Sequence, residues 1–190
     1  SGVDGNESVI ENGTWANYRL NDVIRRHPAE ILGKKTATDY HNNLPLLTKI
    51  IDAKQDLSIQ VHPDNAMAER EHHKSGKSEM WYILDAKPGS FLYAGLKQQV
   101  TPEEYRQRVE DGTICDVLCK HYVSKGDVFY LPAGRIHAIC GGIKLAEIQQ
   151  SSNITYRIYD YNRPDLDGKL RPLHTELAAK AIDYTVYPEY

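Results

Sequence analysis

The sequence predicts a mainly β fold, an antiparallel sandwich or small barrel with a few helices around it. Three observations carry that prediction. Short runs rich in Val, Ile, Leu and Tyr recur along the 190-residue chain, and Gly, Pro, Asp and Asn punctuate them at close intervals. Only a few stretches have the three-to-four-residue apolar spacing of a helix. About nine or ten strands are expected from this pattern.

Residues 1–18 are rich in Gly and Asn and read as irregular, with one short strand at Ser8-Val9-Ile10. Leu20, Val23 and Ile24 have helical spacing, and Pro28 ends that helix after His27. From Leu46 the pattern turns to strand: Leu46–Ala53, Leu57–His62, Met80–Asp85 and Ser90–Ala94. Thr101-Pro102-Glu103-Glu104 starts a helix, with a capping hydroxyl, a proline in the first turn and acids at the positive end. That helix ends near Gly112. Strands resume at His121–Ser124, Val128–Leu131, Ile136–Ile139, Ile143–Gln149 and Thr155–Tyr159. Asn162–Pro172 reads as a polar loop and Leu173–Tyr184 as a closing helix.

Composition excludes several classes. A net charge of −3 and a pI near 6.2 argue against a nucleic-acid or anionic-membrane binder. No run of about 18 apolar residues could span a bilayer, and the first residues lack the charged and apolar regions of a signal peptide. Three cysteines without framework spacing fit a reducing, cytoplasmic setting, and Cys115 and Cys119 read as buried thiols.

The residues with chemistry lie in two motifs. In Ser58-Ile59-Gln60-Val61-His62-Pro63, strand alternation sends Gln60 and His62 to one face, and Pro63 ends the pairing. With Glu79 and His137 downstream, this reads as a divalent-metal site built on strands. The second motif runs from Gly126 to His137. A turn at Gly126-Asp127, a strand at Val128–Leu131 and a second turn at Pro132-Ala133-Gly134 present His137 on the following strand.

This second motif resembles the second motif of the cupin barrels. The first cupin motif usually holds a histidine pair with a nearby Glu; here Gln60 replaces the first histidine, and 16 residues separate His62 from Glu79. That departure points to a subfamily. The stretches 58–65, Lys77-Ser78-Glu79-Met80-Trp81-Tyr82, 132–138 and 147–157 resemble the type I mannose-6-phosphate isomerases, and the likeness covers roughly residues 6–184. The resemblance implies a cupin-type jelly-roll β-barrel with peripheral helices. Residues 1–45 would pack on it, 46–160 would form the metal-binding barrel, and 161–190 would supply a loop and C-terminal helix. The family begins with further strands and continues into a second β-domain, so the resemblance implies a truncated chain, an ordered remnant or a minimal natural member.

The same resemblance implies one zinc ion per chain on Gln60, His62, Glu79 and His137, with Lys77, Glu147 and Arg157 lining an active site. Imidazole, carboxylate and amide oxygen are donors that suit zinc. The implied reaction interconverts mannose 6-phosphate and fructose 6-phosphate through an enediol, which requires a base within reach of a carbon-bound proton. Lys77 lies two residues before Glu79 and falls on its face; a solvated lysine is the alternative. Glu147 sits in an apolar run where Lys144 is the only other charge, which favours an acid/base role over a salt bridge. Which of Lys77 and Glu147 moves the proton stays open. Arg157 suits a phosphate or an enediolate, and Ser58 either touches substrate or is a buried hydroxyl. Asn153 stands where some members carry a proposed catalytic Asp. Arg163, Lys169 and Arg171 could gather phosphate or form a solvated loop. His72-His73 reads as a solvated helix end, His27, His41, His121 and His174 as structural residues, and Trp81 and Tyr82 as barrel packing.

A phosphosugar is the expected partner, with no nucleic acid and no membrane, as a monomer or homodimer. Rival functions are another cupin phosphosugar isomerase, a metal-dependent oxygenase disfavoured by Gln60, and a non-catalytic sugar-phosphate sensor that keeps the metal site.

Overall fold

The computed structural model describes residues 7–165 and 167–187. Three short helices come first: α1 (Leu20–Arg26), α2 (Pro28–Leu32) and α3 (Lys34–Asp39). Val23 and Ile24 are the buried pair of α1, as their spacing predicts. Pro28 does more than stop α1. It occupies the first position of α2, where its missing N–H costs no helical hydrogen bond.

Nine strands follow among the described residues, interrupted by two α-helices and followed by a third: β1 (Leu46–Ala53), β2 (Ile59–Val61), α4 (Asn65–His72), β3 (Glu79–Ala86), β4 (Phe91–Leu96), α5 (Pro102–Glu110), β5 (Leu118–Tyr122), β6 (Val128–Leu131), β7 (His137–Ile139), β8 (Ile143–Gln150), β9 (Tyr156–Tyr159) and α6 (Thr175–Ala181). Thr101 Oγ1 accepts from the Glu104 N–H at 3.1 Å and so caps α5. Asp64 does the same for α4, taking the Met67 N–H at 2.7 Å.

The strands form two antiparallel sheets, ordered β1-β8-β3-β6 and β5-β4-β7-β2-β9. One apolar core lies between them. Trp81, Ile83, Phe129, Leu131, Ile143 and Leu145 come from the first sheet, and Leu92, Ala94 and Ile139 from the second. A second core lies on the far side of the five-stranded sheet, where Ile59, Val61, Ala138, Tyr156 and Ile158 meet Met67 and Ala68 of α4, Tyr105 and Val109 of α5, and Ala178 and Ala179 of α6. The five-stranded sheet is therefore buried on both faces. The four-stranded sheet turns Ile50, Tyr82, Val128 and Tyr130 outward.

This is the predicted mainly β jelly roll with peripheral helices, built as two opposed sheets; among the described residues they do not join into a closed barrel. Several boundaries differ from the expectation. The strand expected at His121–Ser124 begins at Leu118, because a single 3-10 turn (Ile114–Val117) leads straight into it. The strand ending at His62 stops at Val61, and the closing helix is confined to Thr175–Ala181. β6 and β7 are also not a hairpin: the Pro132–Gly134 turn carries the chain from one sheet to the other. Gly134 takes φ +86° there, and a Cβ would lie 3.1 Å from the Ala181 carbonyl oxygen. No helix among the described residues is long and apolar enough to cross a membrane.

Candidate metal centre

Gln60 lies mid-strand on β2, in register with His137 on β7 to one side and Arg157 on β9 to the other. Directly opposed residues share a face, so these three form a row on the inner side of the five-stranded sheet. His62 follows one residue beyond β2. Glu79, the first residue of β3, projects from the opposite sheet. The ligand atoms of His62, Glu79 and His137 all lie within 4.8 Å of one another, and all three residues are buried.

Backbone ties hold the three segments in place. The Gly134 N–H donates to the His62 carbonyl at 2.9 Å, and the Lys77 N–H to the Pro63 carbonyl at 3.0 Å. Ser78 Oγ accepts the Ala133 N–H at 3.1 Å. Gly76 lets the Lys77–Glu79 segment lie flat against α4: its N–H reaches Asn65 Oδ1 at 2.9 Å, and a Cβ would stand 2.4 Å from the Asp64 carbonyl carbon. Side chains fixed this way lose little freedom on binding a ligand.

Both histidines are oriented by main-chain carbonyls. His62 Nδ1 lies 2.9 Å from the Ile154 oxygen and His137 Nδ1 2.7 Å from the Arg135 oxygen. Each Nδ1 must therefore carry the proton, which leaves both Nε2 lone pairs facing inward. His137 Nε2 is 3.2 Å from Glu79 Oε1, and His62 Nε2 is 3.5 Å from Oε2. Among the described residues, His62 Nε2 and both Glu79 oxygens have no hydrogen-bond partner. Lys77 Nζ, 2.9 Å from Oε2, makes an ion pair with the carboxylate. Burial pulls the His62 pKa down to about 4, aided by the charges of His137 and Lys77, and burial likewise lowers His137. Burial alone would raise Glu79; the hydrogen-bonding proximity of His62 and the charges of His137 and Lys77 outweigh it and hold the carboxyl well below its usual range.

Neutral imidazoles, an ionised carboxylate and buried lone pairs that point at one another form a set that can hold a metal ion. Gln60 fits as a fourth donor. Its amide lies 3.3 Å from His137 Nε2, and a half-turn about the last side-chain bond presents Oε1 in place of Nε2.

Glu147 is buried one step away. Its Oε1 takes Lys49 Nζ at 2.8 Å, and its Oε2 takes the Trp81 indole N–H at 3.3 Å. Trp81 in turn stands edge-on to His137, with centroids 5.4 Å apart. Glu147 thus reaches the cluster through one intervening ring. Ser58 is buried beyond the start of β2. Arg163 and Arg171 do not stand open for phosphate: both donate to the carboxylate of Asp160 at 2.7–3.1 Å, and Arg163 Nε also donates to the Asp160 carbonyl at 3.3 Å. His72 is not a solvated helix end either, since its Nε2 is 2.8 Å from the Tyr156 hydroxyl. His73, beside it, is exposed. Lys49, Trp81 and the two orienting carbonyls have no sequence signature, because strand register alone brings them to the site.

Residues 6–93 match the family model for the phosphomannose isomerase type I catalytic domain. Over 176 residues the chain is 42% identical to a Bacillus subtilis protein named "Probable mannose-6-phosphate isomerase GmuF", covering 92% of this chain and 54% of that one. It is 39% identical over 184 residues to the mannose-6-phosphate isomerase ManA of the same organism, covering 96% and 56%. The crystal structure of a mannose 6-phosphate isomerase from Bacillus subtilis superposes with a TM-score of 0.90 at 32% identity, over 100% of this chain and 59% of that chain. Over nearly its whole length the chain is thus similar to type I phosphomannose isomerases. It spans about half the length of the relatives it matches (54% and 56%). Gln60, His62 and Glu79 lie within the residues that match the family model, and His137 lies within the length shared with these relatives.

Proposed function

We propose that this chain carries the active site of a zinc-dependent mannose-6-phosphate isomerase, converting mannose 6-phosphate and fructose 6-phosphate into each other. The observation that carries the proposal is the buried convergence of His62, Glu79 and His137, with Lys77 on the same carboxylate, in a chain similar to this family. Gln60, His62, Glu79 and His137 would hold one zinc ion, a donor set of the right hardness and number. When bound, zinc supplies polarisation of the sugar's carbonyl and neighbouring hydroxyl oxygens.

The protein's own groups do the rest. The isomerisation takes a proton from C2 of the aldose and returns one to C1, while the carbonyl oxygen gains a proton and the C2 hydroxyl loses one. Lys77, whose ammonium faces the cluster, serves as the acid at the carbonyl oxygen. Glu147 serves as the base for the carbon-bound proton, held in one orientation by Lys49 and Trp81. Arg157 stands beside Gln60 on the inner face, where its planar fork can bind the phosphate or the developing enediolate. Trp81, edge-on to His137, limits water beside that histidine.

A coupled assay of mannose 6-phosphate conversion by zinc-loaded protein, with and without a chelator, tests the proposal. Turnover that disappears on chelation and returns with zinc supports it. A zinc-loaded, folded protein that binds mannose 6-phosphate without turnover would instead mark a sugar-phosphate sensor.

A further inference from the structure

We propose that His174 is a positioning residue for Arg157, clamping the edge strand that carries the guanidinium through its imidazole. β9 is the last strand of the five-stranded sheet, so one flank of Arg157 has no strand beside it. His174 fills that flank. Its backbone N–H donates to the Arg157 carbonyl at 2.7 Å, and its Nδ1 accepts the Arg157 N–H at 3.0 Å. An imidazole nitrogen stands where the carbonyl of a neighbouring strand would be. Two residues earlier, the Pro172 carbonyl accepts Arg157 Nη1 at 2.9 Å, so the same segment holds both the backbone and the head group. Arg157 Nε is buried without a hydrogen-bond partner among the described residues, which leaves a donor for an anionic ligand.

The ordinary roles for His174 do not account for this contact. It is the N-cap residue of α6, where a side chain usually turns back to bond the helix, yet its side chain makes no such bond. Its carbonyl starts the helix by accepting the Ala178 N–H at 2.8 Å, and the ring is left for Arg157. Accepting that N–H requires the Nε2–H tautomer, since an imidazolium has no lone pair.

The groups facing the ring are Arg157 and Tyr156 on β9, the Tyr156 centroid 6.3 Å away, and His72 at the end of α4, bound to the Tyr156 hydroxyl. Burial first, then the charge of Arg157, then His72, lower the pKa of His174. The clamp is thus complete above the ordinary histidine range and is lost as pH falls through the lowered value.

The inference rests on the reading of Arg157 as a substrate-facing residue, so its test has one arm that needs no turnover. Arg157 amide exchange by NMR and steady-state kinetics with mannose 6-phosphate are to be measured on zinc-loaded wild type, His174→Ala, His174→Gln and His174→Asn. Asn places an oxygen at the Nδ1 position, whereas Gln places its polar atoms at Nε2. Ala and Gln are expected to speed Arg157 exchange by about tenfold and to lower kcat/KM by about threefold to tenfold, the worth of one hydrogen bond. Asn should bring both within about twofold of wild type and flatten the acid limb of the pH profile. Unchanged Arg157 protection in the Ala variant, or an Asn variant no better than Ala at equal zinc content, would overturn the clamp. If wild type is silent but Arg157 protection is lost in Ala and restored in Asn, the clamp stands and the isomerase reading falls.

Discussion

Gly76→Ala tests how tightly the candidate centre depends on the fit between two chain segments. The obstacle is packing: the added Cβ would stand 2.4 Å from the Asp64 carbonyl carbon, 2.5 Å from the Asn65 nitrogen and 2.7 Å from the Asp64 oxygen. All three are main-chain atoms at the capped start of α4, so no side chain can swing aside. Regaining ordinary contact requires a shift of about 1 Å between residues 76–79 and the His62–Asn65 segment, where metal–ligand distances tolerate about 0.2 Å. The shift strains the Gly76–Asn65 and Lys77–Pro63 hydrogen bonds, of 2.9 and 3.0 Å. Overpacking costs about 1–3 kcal/mol and each weakened bond about 1 kcal/mol. A total of about 3–5 kcal/mol lowers the Tm of a protein this size by about 6–20 °C. Zinc affinity should fall by about 10–100-fold, as it does when support around metal ligands is removed. Calorimetry of the chelated protein and competition against a chromophoric zinc chelator measure the two effects. Wild-type Tm and wild-type zinc affinity in the variant would refute the packing argument.

Glu147→Gln should keep zinc, because Glu147 does not touch the cluster, yet lose at least about 100-fold in kcat; near-wild-type turnover would remove it as the base. Asp160→Asn should cost about 2 kcal/mol, read as a Tm drop of about 4–8 °C, because the buried carboxylate anchors both Arg163 and Arg171; an unchanged Tm would deny that anchor. The third prediction concerns pH. His62 and His137 are neutral in the fold but gain protons when unfolded below about 6.5, so the unfolded chain binds more protons in that window. Stability of the chelated protein should fall from pH 6.5 toward pH 4, each histidine adding about 1.4 kcal/mol per pH unit to the slope. Denaturant titrations of wild type and His62→Asn should differ by about one proton's slope; equal slopes would reject the assignment.

The sequence carried the strands and the ligands unequally. Val128–Leu131 and the Thr101 cap were legible because alternation and capping are local signals. The convergence of His62, Glu79 and His137 was legible through the resemblance, and the shared direction of Gln60 and His62 through alternation. α2 and α3 went unread because five and six residues are too short to show a period, and Gly33 between them reads as loop. The partners of Glu147 went unread for another reason. Lys49 lies 98 residues away and meets it only through the β1–β8 register, which no local pattern encodes. The exposed charge on Lys49 gave no hint that its head group would reach inward.

The crossing made by the Pro132–Gly134 turn has a mechanical consequence. Gln60, His62 and His137 belong to one layer of the sandwich and Glu79 to the other. A cation gripped by all four would act as a rivet through the two layers, so pulling the sheets apart would load the coordination bonds before the apolar core yields. Stretched in a force instrument, loaded and chelated molecules would then rupture at different forces, and the gap between them would measure how firmly one ion fastens the two walls.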